Sequence, residues 1–166
     1  MKKFLFLAIA LAVTAAHAEP LEVGAGTVSN GGSMGAEVTV KTVLRGYTVG
    51  GIVGGVSDRK YLGLQYTSRE YAGFARFGLG LAYTRADYST ETQGVAPCLI
   101  CANPPPTVAH GTSSKVSPFV QLEAFRKLKN GAEIFAQTRY FTNFANGESN
   151  SKGRFFTGVG VRFSFN

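Results

Sequence analysis

The sequence predicts an all-β fold, a closed antiparallel eight-stranded transmembrane β-barrel. Three observations carry it. Apolar and polar residues alternate with a period of two over long segments, as in Val116, Pro118, Val120, Leu122 and Ala124 against Ser117, Phe119, Gln121, Glu123 and Phe125. The non-apolar face is charged in mid-strand, at Glu37, Lys41, Arg76, Glu123, Arg139 and Arg162. Such charges are costly in lipid and acceptable in a polar lumen, where they pair. The segments also run to about 10 residues or more, the length a tilted bilayer span needs, where strands of soluble proteins average about 5–6.

Composition excludes other classes. The chain has 166 residues, 45% hydrophobic, 12% aromatic and only 16% charged, which is too apolar for a disordered chain. No uninterrupted apolar run is long enough for a membrane-spanning helix. Its 21 glycines follow no collagen period, so they call for a packing reason.

The N-terminus reads as a cleaved signal peptide, residues 1–18. Lys2 and Lys3 form the positive region, residues 4–16 the apolar core, and Ala16-His17-Ala18 the small-x-small cleavage pattern before Glu19. Removing it leaves 15 basic against 10 acidic residues, a net charge of +5. Residues 19–166 then form one barrel domain.

Eight strands are expected near 20–29, 34–44, 46–56, 60–69, 73–88, 114–128, 131–144 and 153–165. In the third, Gly50, Gly51, Gly54 and Gly55 blur which face is apolar. Short connectors at Arg45 and Gly46, at Glu70, Tyr71 and Ala72, and at Lys129, Asn130 and Gly131 fall on one side, with Asn130-Gly131 a strong tight-turn signal. The connectors at 30–33, 57–59, 89–113 and 145–152 fall on the other. An even strand number with short periplasmic turns and longer extracellular loops is the pattern of an outer-membrane barrel.

Parity places Glu22, Glu37, Lys41, Arg76, Glu123, Glu133, Arg139, Arg154 and Arg162 in the lumen as a polar network, with Phe119, Phe125, Phe135, Phe141 and Phe156 helping to fill it. Inward glycines, including Gly24, Gly26, Gly78, Gly80, Gly158 and Gly160, make room beside large inward side chains. Tyr47, Tyr61, Tyr66, Tyr83, Tyr88, Tyr140, Phe144, Phe155, Phe163 and Phe165 lie near strand ends and are expected in interfacial girdles.

The last segment, Gly158-Val159-Gly160-Val161-Arg162-Phe163-Ser164-Phe165-Asn166, resembles the C-terminal signal read by the barrel-assembly machinery, with Phe165 penultimate. As a pattern, the whole mature chain resembles the small outer-membrane barrels of the outer-membrane protein X and opacity-protein type. That resemblance implies the outer membrane of a Gram-negative bacterium, the assembly machinery as a partner during biogenesis, and no single activity.

The long extracellular segment carries the candidate binding residues Cys98, Leu99, Ile100, Cys101, Pro104, Pro105, Pro106 and His110. In an exported chain Cys98 and Cys101 read as a candidate short disulfide that staples the loop, with free thiols or a metal or redox role as the alternatives; no second cysteine pair completes a zinc site. The three prolines stiffen the tip. This rigid tip is where a host or phage surface ligand would be held. The expected role is structural or surface-binding: adhesion, envelope integrity or resistance to host factors.

Two other classes stay open. A lipid-modifying barrel enzyme, lipid A deacylase-like, would depend on His110, the single histidine of the mature chain, with Ser113, Ser114, Asp87 and Glu91 nearby. No His-x-Ser spacing and no acidic pair at a rim completes such a site, so no catalytic residue, metal or cofactor is assigned. A narrow porin would need the lumen charges to line a pore. The cations Arg59, Lys60, Lys127, Lys129, Lys152 and Arg154 are suited to lipid headgroups and lipopolysaccharide phosphates. No basic stripe interleaved with aromatics supports nucleic acid.

Overall fold

The computed structural model describes residues 20–44, 47–92, 107–145 and 153–165. The predicted signal peptide and the Arg45 and Gly46 turn lie outside the described residues, as do Cys98, Leu99, Ile100, Cys101, Pro104, Pro105 and Pro106.

Eight strands form: β1 (Leu21–Asn30), β2 (Ser33–Leu44), β3 (Tyr47–Val56), β4 (Arg59–Thr67), β5 (Ala75–Thr92), β6 (Thr107–Lys127), β7 (Glu133–Phe141) and β8 (Arg154–Phe165). Each pairs antiparallel with its chain neighbours, and β8 pairs with β1, so the fold is a closed eight-stranded barrel. Closure removes the open edges that an eight-stranded sheet would otherwise expose along its wall.

Register sets the stagger. A circuit of inward partners runs Glu22, Lys41, Gly50, Gln65, Gly80, Phe119, Phe141, Arg154. Since Thr157 pairs with Ser29, Arg154 stands level with position 32, ten residues along β1 from Glu22. This stagger tilts the strands and fixes a barrel just wide enough for side chains to fill it.

The alternation expected from sequence is observed. Val116, Val120, Leu122, Ile134, Val159, Val161, Phe163 and Phe165 are exposed on the outer surface. Glu37, Lys41, Glu123, Arg139, Arg162 and the five predicted inward phenylalanines are buried inside. In β3 the parity resolves with Ile52 and Val56 inward and Val53 outward. Gly54, which faces inward, makes room for a ring: a Cβ there would sit 2.8 Å from the Tyr61 hydroxyl. Gly80 yields to Phe119 and Gly160 to Phe135 in the same way, each at 2.6 Å.

The β1–β2 loop is a two-residue turn with φ of 58° at Gly31 and 93° at Gly32. Positive φ at both central residues is what a hairpin turn matched to strand twist requires, and glycine meets it without strain.

Three expectations are corrected. Segment 89–113 is not a loop throughout: Thr92 pairs with Thr107 and Ser89 with His110, so β5 and β6 continue as a hairpin arm beyond the wall. Tyr61 is no girdle residue; it is 2% exposed and points into the lumen with Gln65 and Thr67. Phe144 is likewise fully buried, because β7 ends at Phe141 and the chain turns inward at Thr142 and Asn143.

Candidate functional site

Two regions concentrate polar chemistry: the lumen and the arm. In the lumen, register brings the opposite charges together. Arg76 pairs directly across from Glu123, and Glu133 directly across from Arg162. Arg162 makes a two-pronged contact with Glu123, at 2.9 and 2.7 Å, and reaches Glu133 at 2.6 Å. Arg76 grips Glu133 at 2.6 and 2.9 Å, and Lys41 donates to Glu123 at 3.2 Å. Such bidentate geometry is the strongest available to a guanidinium.

A second cluster lies deeper. Arg139 donates through both terminal nitrogens to Glu37, which also accepts from the Tyr61 hydroxyl and the Gln137 amide. Gln121 accepts from Arg139 at 2.8 Å and donates to Glu123 at 3.2 Å, which joins the two clusters. The arginines also stack on inward rings, with Arg76 3.8 Å above Phe125 and Arg162 4.8 Å above Phe135.

Above this network the lumen is filled by rings. Phe141 stands 5.2 Å from Tyr61 and Phe119, and 5.3 Å from Phe144. Phe144 also packs on Phe156 at 5.2 Å, and the Ala145 amide donates to the Thr84 hydroxyl at 3.1 Å. The inturned Phe144 segment is thus a cap on this end of the lumen.

Of the predicted lumen residues, Glu37, Lys41, Arg76, Glu123, Glu133, Arg139 and Arg162 join one network, and Glu22 reaches it as an ion pair 3.8 Å from Arg162 Nε. Arg154 does not; it is level with Phe141, above the network, and its Nε has no partner. Tyr61, Gln121, Gln137 and Glu70 are members that the sequence reading missed. Gln121 and Gln137 share the inward parity of Glu123 and Arg139, so alternation carries the signal that charge does not.

Glu70 sits in the β4–β5 turn at the mouth of the barrel, accepting from Arg76 at 2.9 Å and pairing with Lys127 at 2.7 Å. Partial burial pushes its carboxyl up, but the hydrogen bonds from Lys127 and Arg76 outweigh this and hold it below the ordinary carboxylate range.

At the other end stands the arm. An open groove of about 650 Å³ lies along its base, lined by Asp58, Arg59, Arg85, Asp87, Tyr88 and His110 among others. The Asp87 amide donates to the Asp58 carbonyl at 2.9 Å, the last backbone tie between the arm and the β3–β4 turn. The Thr112 hydroxyl, donating at 3.0 Å, holds the Asp87 carboxyl below its ordinary range, with Arg85 at 3.3 Å adding to the effect. His110 lies opposite Ser89, two positions from the Asp87–Thr112 pair. Ser113 and Ser114 pair with Ala86 and Arg85, and Asp87 is committed to Thr112 and Arg85. Among the described residues no group of three His, Cys, Asp or Glu side chains converges on a metal-sized site.

No protein-family model matches the chain, and no curated protein does. Solved structures do. The chain is similar to the N-terminal β-barrel domain of OprF from Pseudomonas aeruginosa, at 11% identity over 89% of this chain and 98% of that one, with a TM-score of 0.62. Neisserial surface protein A also aligns, at 11% identity over 88% of this chain and 95% of that one, with a TM-score of 0.48. At this identity the OprF likeness is one of fold, and it agrees with the closed eight-stranded barrel.

Proposed function

We propose that this chain is an integral outer-membrane barrel of a Gram-negative bacterium and that the β5–β6 arm is its surface-binding element. The membrane reading is supported by the outer surface. From Phe155 to Phe165 the outward residues of β8 are Phe, Thr, Val, Val, Phe and Phe. Ten residue steps extend about 34 Å, or about 26 Å along the barrel axis at a tilt near 40°, which matches the about 25 Å apolar band of such barrels. Exposed Leu64, Leu79, Leu81 and Val120 continue the band on the opposite wall. A soluble protein would bury such side chains.

The observation that carries the binding role is the arm itself. Beyond the Arg59 and Ala86 pair, β5 runs on for residues 87–92, about 20 Å. Among the described residues, beyond the tie from Asp87 to Asp58, these pair only with β6. Pairing of β6 with β7 begins at Phe119, and among the described residues 107–116 have no strand partner on that side of β6. An open edge offers a row of backbone donors and acceptors to an extended segment of a partner, while alternate side chains select it. Arg85, Asp87, Ser89, His110 and Thr112 supply a selective polar face. This geometry supports adhesion or capture of a host protein as the role.

The test uses cells that express the full chain and a version in which residues 90–109 are replaced by Asn-Gly. Both should fractionate with the outer membrane and shift on a gel when boiled. Only the full chain should confer adherence to host-cell monolayers. Equal adherence by the armless barrel overturns the binding role. A soluble periplasmic product with no shift on boiling overturns the membrane reading.

A further inference from the structure

We infer that the end of the barrel where β1 begins and β8 ends holds the headgroups of acidic phospholipids. The site is built by the β4–β5 and β6–β7 turns. This rests on the membrane reading above and adds a lipid class that the reading does not specify.

The two turns form one surface. The Phe125 amide donates to the Phe74 carbonyl at 2.8 Å, and Lys127 pairs with Glu70 across the gap at 2.7 Å. Around this junction Arg69, Arg126 and Lys129 are all exposed. Among the described residues none of the three is ion-paired, while Lys127 and Arg76 beside them share Glu70. Glu70, the one acidic side chain exposed at the junction, is divided between Arg76 and Lys127. Among the described residues the surface is therefore left with positive charge in excess.

Apolar groups stand beside it. Tyr71, Phe74 and Leu128 are exposed in the same two turns. Aromatic and aliphatic side chains next to free cations suit the boundary between acyl chains and headgroups. The rings and Leu128 enter the boundary layer, and the cations meet phosphate oxygens. A partner in bulk water would gain from the charges but leave these side chains exposed. This combination selects a lipid headgroup over a soluble polyanion.

The experiment places the full-length barrel in bilayers of phosphatidylcholine alone or mixed with phosphatidylglycerol, and measures retained lipid by native mass spectrometry. The barrel should retain phosphatidylglycerol selectively. The triple variant Arg69→Gln, Arg126→Gln and Lys129→Gln should lose about tenfold or more of that selectivity. Lys115→Gln, toward the other end of β6, should leave it unchanged. The single variants Arg69→Gln and Lys129→Gln should each show part of the loss, and raised salt should release the lipid from the unaltered barrel. Equal retention by the triple variant in a correctly inserted barrel overturns the site and leaves the membrane reading intact. So does unchanged lipid retention with lost binding to isolated peptidoglycan, which would reassign the surface to a cell-wall polymer. Failure to insert into either bilayer overturns the membrane reading and this site together.

Discussion

Arg139 on β7 and Glu37 on β2 meet across the lumen as a doubly hydrogen-bonded pair, and Arg139 is wholly shielded from solvent. Their 102-residue separation makes the pair a long-range tie that only a closed barrel can form. Removing one partner leaves the other charge buried and unmatched. Glu37→Ala should therefore cost about 3–5 kcal/mol. Replacing both, as Glu37→Leu with Arg139→Met, should cost much less, because it leaves no orphaned charge. Urea midpoints of the refolded barrel check both. If the double variant is as unstable as the single one, Tyr61, Gln121 and Gln137 depend on the pair more than the pair depends on them.

Gly160 should not tolerate a side chain. Its Cβ would lie 2.5 Å from the Ala25 carbonyl oxygen and 2.6 Å from the Phe135 ring. The first contact is backbone of the closing β1–β8 seam, which cannot swing aside. Gly160→Val should destabilise by about 1–3 kcal/mol or more, and the effect should fall on closure. The checking measurement is the fraction of refolded protein that migrates as the heat-shiftable band. Gly31→Ala is the contrast: nothing lies within 4 Å of its Cβ position, so its cost comes from the positive φ alone.

How legible was this in the sequence? The wall was, because a period of two survives wherever one face is apolar and the other packed. Glu37, Lys41, Arg139 and Arg162 could be turned inward without coordinates for that reason. Their partners could not be named, since the tie between Arg139 and Glu37 depends on closure and on the ten-residue stagger, neither of which alternation encodes. The arm was hidden for a physical reason too. Ser89, Thr90, His110, Thr112 and Ser113 are polar on both faces, so paired strand there carries no alternation. Phe144 was misplaced by extending the parity of β7 past its end at Phe141, where the turn re-aims the chain. Tyr61 was misplaced by nearness to a strand end, although its parity with Gln65 and Thr67 already pointed inward.

Acid should loosen the mouth of the barrel through Glu70. Its folded-state pKa lies below the ordinary 4.5, so its pairing with Arg76 and Lys127 adds stability that is complete above that value. The contribution is lost as pH falls below 4.5 through the folded value, where protonation removes the charge. The stability difference between the unaltered protein and Glu70→Gln should therefore shrink on acidification below this point. High salt should shrink it further at neutral pH, because Glu70 is partly exposed. A difference independent of pH would mean that the Glu70 carboxylate does not support the turn by charge.

The last prediction concerns the cap. Phe144 is buried against Phe141 and Phe156, at 5.3 and 5.2 Å, on an inturned segment tied by the Ala145 amide to Thr84. Phe144→Ala removes a ring from a packed cluster and should cost about 3–5 kcal/mol, with the higher end expected if the cavity does not collapse. It should not open a pore. Beneath the cap, Phe119, Tyr61 and the Arg139–Glu37 pair still fill the cross-section, and each is held by partners that do not involve Phe144. Planar-bilayer recordings of Phe144→Ala should thus match those of the unaltered barrel, while its urea midpoint falls. Stepwise conductance appearing in the variant alone would show that the cap, and not the polar network below it, closes the lumen.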